Sequence, residues 1–173
     1  MNKRKMRITM NALSISLLTA LSLTPTGSGA KAADNKIEAA APATKAKDLT
    51  PEEKLSKTKR DAKAGHAGAQ NNLGVMYENG DGVPKDLAKA VEWWQKAAAQ
   101  GNAIAQYLLG RMHWLGEGVS KNHVLAYAWL NLSAAQGFDA AKELRDRVEK
   151  ELTPAQRGEG QSMSTNWKKG KVF

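Results

Sequence analysis

Between residues 65 and 136, apolar and small residues return at intervals of three and four, the spacing that lines one face of an α-helix. Gly-x-Gly turns interrupt the pattern, which predicts a helix A over about 67–79 and a helix B over about 86–100. The succession then starts again. Residues 65–100 align with 101–136 without a gap, with 16 identities in 36 positions. They include Leu73/Leu109, Gly74/Gly110, Gly80/Gly116, Gly82/Gly118, Trp93/Trp129 and Ala98/Ala134. A period of this length marks a repeat architecture in which each helical pair buries its apolar stripe against the next.

The turn "ENGDGVPKD", residues 78–86, has the look of a ligand loop but fails both tests for one. A calcium loop needs a carboxylate at its first position and a glutamate at its twelfth, and this one has Tyr77 and Ala88. A phosphate loop follows a strand and carries a Gly-Lys-Ser/Thr ending, whereas this one follows a helical pattern. Its recurrence as "LGEGVSKN" makes it a joint. Asp86 and Asn122 stand where helix B needs an N-cap, and Gly101 and Gly137 where it needs a residue free to take positive φ. Ala69, Gly74 and Ala98 recur as Ala105, Gly110 and Ala134, as expected where helices approach too closely for larger side chains. Trp93 and Trp129 read as structural residues between helices.

The pattern A-x-x-x-L-G-x-x-Y-x-x-G-x-G-V-x-K-D-x-x-x-A-x-x-W-W-x-x-A-A-x-x-G, from Ala69 to Gly101, resembles the Sel-one-like repeat, a longer cousin of the tetratricopeptide repeat. The resemblance covers about 64–141, and the second copy departs from it at His113, Ser120 and Asn122. It implies an all-α fold: a short right-handed αα-solenoid with helix A on its concave side. Proteins of this kind generally act as scaffolds for other proteins, and many bacterial ones are exported. Cysteine-rich members have been linked to β-lactam binding; this chain has no Cys, so their disulfide pairs are absent.

The flanks divide by composition. Residues 1–30 combine a basic start, a mainly apolar stretch "ITMNALSISLLTALSL" and small-x-small cleavage sites at Ala30 or Ala32, the expectation for a signal peptide. That address points first to the periplasm, then to secretion, then to anchoring by an uncleaved signal. The apolar run is shorter than the ~20 residues a membrane span requires. Residues 31–48 read as an Ala/Lys-rich tether. "TPEE" opens a cap helix over 49–64 and "TPAQ" opens the last helix of a C-terminal cap over 137–167, leaving 168–173 as a basic tail expected to be solvated.

The net charge of +9 does not change this picture. Residues 1–30 hold four basic and no acidic residues, 31–64 nine and six, 137–173 eight and six, and the repeats 65–136 five of each. A neutral solenoid offers no stripe for nucleic acid. Three His and no Cys, with no Gly-x-Ser-x-Gly or His-x-x-x-His, leave no catalytic or metal constellation, so the expectation is no cofactor and no enzyme. A β-lactam- or peptidoglycan-active hydrolase is the remote alternative.

Positions that differ between the copies along one face of helix A are free to serve recognition. Asn71, Val75 and Glu78, continued by Tyr107, Arg111 and Trp114, form such a stripe, and Tyr, Arg and Trp are enriched at binding hot spots. Two readings of it stand side by side. In one it binds a peptide or helix of an envelope protein, as a scaffold or as a regulator of a membrane signalling protein or envelope enzyme. In the other Tyr107, Leu108 and Trp114 are the docking surface for the C-terminal helices.

Overall fold

A computed structural model describes residues 49–173; the expected signal peptide and tether lie outside the described residues. Seven helices follow one another among them: α1 (Pro51–Lys63), α2 (Ala67–Asn79), α3 (Leu87–Ala99), α4 (Ala103–Leu115), α5 (His123–Ala135), α6 (Asp139–Glu149) and α7 (Pro154–Thr165). There is no strand among the described residues. The helices α2/α3 and α4/α5 are the two A/B hairpins, α1 lies before them against α2, and α6 and α7 both pack on α5.

Local chemistry sets the helix ends. Capping boxes open α1 and α7: the Glu53 N–H donates to Thr50 Oγ1 at 3.3 Å and the Gln156 N–H to Thr153 Oγ1 at 3.3 Å, while Glu53 and Gln156 return a bond to the cap's own N–H. Asp86 and Asn122 cap α3 and α5 by accepting from the N–H groups of Lys89 and Leu125. The A helices stop at Gly80 and Gly116, with φ of 86° and 76°, and Gly82 and Gly118 take 69° and 70° two residues on. Left-handed backbone at both glycines is what turns each A helix into its B helix.

The hairpins close where glycine meets a large side chain. A Cβ on Gly74 would lie 2.5 Å from Trp94 Nε1, and one on Gly110 would lie 2.6 Å from Leu130 Cγ. Trp94 is thereby fully buried and its indole N–H donates to the Asn71 carbonyl at 3.3 Å. Trp93 is only half-buried, with the Lys96 ammonium 4.1 Å from its ring centroid, so its structural role is that of a partly exposed shelf; Trp129, its repeat equivalent, is 2% exposed. Leu109 and Met112 of α4 pack with Val91 and Trp94 of α3 between the hairpins, and Leu73 of α2 is also buried. A second cluster joins Tyr127, Leu130 and Ala134 of α5 to Leu144, Val148 and Leu152. The close approach of α7 to α5 comes from Gly160, where a Cβ would be 2.9 Å from the Tyr127 ring.

A glutamine ladder stitches the units together. Gln70 donates through Nε2 to the Ala62 carbonyl at 3.2 Å and accepts at Oε1 from Gln100 Nε2 at 2.7 Å. One repeat on, Gln106 donates to the Ala98 carbonyl at 3.3 Å and accepts from Gln136 at 2.7 Å. Each A helix thus satisfies a carbonyl at the end of the preceding B helix, where helices leave acceptors unpaired.

Residues 166–173 are not a free tail. The Gly170 N–H donates to the Ala99 carbonyl at 2.6 Å, and the Phe173 ring tilts against Trp129 at 4.6 Å between centroids. The basic composition that suggested solvation is outweighed by one aromatic contact and one main-chain bond.

Candidate functional site

The A-helix face is built from α2 and α4, and among the described residues it divides into an open half and a half covered by the C-terminal elements. At the open end, α1 and α2 enclose a trough of about 840 Å³. Leu49, Leu55, Val75 and Met76 supply its apolar lining, and Glu52, Lys54, Asn72 and Asp81 are among its polar residues. This composition, apolar with a few polar groups, is that of a binding cleft.

The repeat shows what shape the trough fits. Adding one period to Pro51, Leu55 and Thr58 gives Leu87, Val91 and Trp94, and Val91 and Trp94 belong to the buried core of α3, with α2 lying against Trp94. Leu55 and Thr58 face the trough instead, so it occupies the place of an A helix preceding α1. The small Thr58 where α3 has Trp94 leaves that place wide.

The other stripe positions are engaged. Glu78 and Arg111 form an ion pair between the repeats, with side chains 22% and 29% exposed, while Arg111 Nε is buried without a hydrogen-bond partner among the described residues. Tyr107 lies 5.2 Å from Phe138 between ring centroids, and the Trp114 indole N–H donates to Glu151 Oε1 at 3.0 Å. The second oxygen of Glu151 is 3.4 Å from His123 Nδ1. The C-terminal elements therefore reach both aromatic residues. Asn71 is in the interior, 7% exposed, with Oδ1 unpartnered among the described residues, so its side chain is not on an accessible stripe. Leu108 is also buried. Of the six stripe residues, Val75 alone lines the trough.

Sequence reading passed over Leu49, Leu55 and Met76, which complete the trough, and Gln70, Gln100, Gln106 and Gln136, which make the ladder. The glutamines carried a signal, since both recur at the 36-residue period. Leu55 carried one too, as the equivalent of Val91.

Titration adds little chemistry to this face. Burial pushes the His113 imidazole below its ordinary value of 6.5, against a smaller opposite pull from the Ser120 carbonyl. Hydrogen bonds from the backbone and side chain of Lys89 hold the Asp86 carboxyl below its ordinary range. Among the described residues no group of three or more His, Cys, Asp or Glu side chains is placed to hold a metal, and no helix is long and apolar enough to cross a membrane.

Two stacked hairpins with end helices define a short all-α solenoid. Residues 67–102 and 103–138 each match the Sel1 repeat, phase-shifted by two residues from the sequence-based division at 65 and 101. A protective antigen present in uropathogenic Escherichia coli strains and displaying an SLR fold is similar at 33% identity and a TM-score of 0.63, over 65% of this chain and 24% of that one. A Sel1 repeat protein from Oxalobacter formigenes is similar at 31% identity and a TM-score of 0.50, over 57% of this chain and 46% of that one. The chain thus spans less than half the length of either structure. None of the curated proteins matches it. Sel1 repeats generally mediate protein–protein interaction, and the scaffold is typically non-catalytic.

Proposed function

We infer that the chain is an exported adaptor, and that it binds an amphipathic helix of an envelope protein in the trough between α1 and α2. The observation that carries this reading is the trough itself, about 840 Å³ and lined by Leu49, Leu55, Val75 and Met76. A helix laid there repeats what α2 does on α3, with its apolar face on α1 and α2 and its polar face outward. Glu78 and Arg111 serve the site by holding α2 and α4 in register. The basic and apolar N-terminal pattern supports export to the periplasm. A regulator of a membrane signalling protein or envelope enzyme would use the same trough, and the identity of the captured protein separates the two.

The test places a photo-crosslinking residue at Val75 in the full chain, in intact cells, with exposed Glu143 on α6 as the control position. The expected result is one envelope protein joined at Val75 and not at Glu143, from a chain found in the periplasmic fraction and processed near Ala30 or Ala32. Equal capture at both positions, or a chain retained with its N-terminal segment in the cytoplasm, contradicts the reading.

A further inference from the structure

A second groove lies away from the trough, at the C-terminal end of α3 and along α5, and residues 166–173 are seated in it. Three contacts hold the segment. The Gly170 N–H donates to the Ala99 carbonyl, the last of α3, at 2.6 Å. The Lys169 side chain lies over Gly101, where a Cβ would be 3.0 Å from Lys169 Cε, and the Phe173 ring stands 4.6 Å from Trp129. The segment is shaped for this by its own turn: Gly170 has a φ of 92°, and the Trp167 indole N–H donates to the Lys171 carbonyl at 2.9 Å.

These are the elements of peptide recognition: a main-chain bond that fixes register, a glycine shelf that admits a lysine stem, and an aromatic platform for an aromatic anchor. Phe173 keeps 36% of its surface exposed above a Trp129 that is 2% exposed, so the segment lies on the core rather than within it. Trp93, at the same place in the first repeat, is half-buried, with the Lys96 ammonium over its ring. We propose that this groove is a peptide site, occupied in cis by residues 166–173, and that it accepts a partner segment that makes the same turn and carries lysines followed by an aromatic residue. The proposal stands independently of the trough.

Gly170→Pro in the full chain removes the N–H that bonds Ala99 and forbids a φ of 92°, which releases the segment. A labelled synthetic peptide of the sequence 166–173 is titrated into this variant and into wild type, beside a peptide whose terminal Phe is replaced by Ala. The expected result is saturable binding to the variant and binding about tenfold or more weaker to wild type, since a groove filled nine-tenths of the time or more is open to the peptide for the remainder. The Ala peptide loses that binding. No binding to the variant, equal binding of both peptides, or equal binding to variant and wild type overturns the proposal. Phe173→Ala is the second release variant should Gly170→Pro disturb the helical signal.

Discussion

Gly74→Ala is expected to destabilise the protein, although alanine is the better helix former. The substitution gains ~1 kcal/mol of helix propensity in the interior of α2. Against it stands a Cβ placed 2.5 Å from Nε1 and 2.6 Å from Cδ1 of the fully buried Trp94. Relieving that overlap costs about 1–3 kcal/mol in a packed core, and displacing the indole from the Asn71 carbonyl costs about 1 kcal/mol more. The net is a loss of about 1–3 kcal/mol, which for a domain of this size lowers Tm by roughly 4 °C or more. Gly68 on the same helix provides the control. A Cβ there meets nothing within 4 Å, so Gly68→Ala is expected to be neutral or stabilising by up to ~1 kcal/mol. Thermal and urea unfolding followed by circular dichroism at 222 nm measures both. If Gly74→Ala proved as stable as wild type, the close approach of α2 to α3 and the reason for a glycine in each repeat would be refuted.

Gln106→Leu is expected to cost about 1–3 kcal/mol in urea unfolding, because the Ala98 carbonyl loses the Gln106 amide and the Gln136 amide loses the nearer of its two acceptors; an unchanged midpoint would remove the ladder from the account. His113 titrates below its ordinary value in the folded state, so the folded protein binds fewer protons than the unfolded chain. Its contribution is present above pH ~6.5 and is lost as pH falls through the lowered folded value, so His113→Tyr should flatten the stability profile on the acid side. The Glu78 and Arg111 pair is partly exposed, and a double-mutant cycle with alanine should return a coupling of about 1 kcal/mol that shrinks with salt; a coupling near zero would mean that the pair does not set the register of α2 and α4.

Features fixed by neighbours in sequence were legible before the structure. The Gly-x-Gly turns, the Asp86 and Asn122 caps and the Thr50 and Thr153 capping boxes each involve groups within a few residues, and the 36-residue period implied stacked hairpins. Features fixed across the fold were not. Trp93 and Trp94 differ by one position, about 100° around a helix, and the one that turns inward is the one that finds Gly74 twenty residues earlier. Asn71 and Tyr107 differ between the copies for a packing reason. Asn71 is buried where the Trp94 indole reaches its carbonyl, whereas the larger Tyr107 packs against both core clusters. Variation between repeats therefore marks compensation in the core as well as freedom on the surface. The fate of residues 166–173 depended on Trp129, forty residues away, and composition alone does not encode that contact.

The trough is the centre of the account, and the most direct test of it is an affinity. With the helix joined at Val75 in cells made as a peptide, its binding to wild type and to Val75→Asp is measured by calorimetry, each protein first shown to have the same helical signal and unfolding midpoint. A carboxylate in the apolar floor between α1 and α2 should weaken binding tenfold or more, about 1.4 kcal/mol or above. An affinity unchanged by Val75→Asp in a folded protein would contradict the assignment and move the partner's site elsewhere on the solenoid.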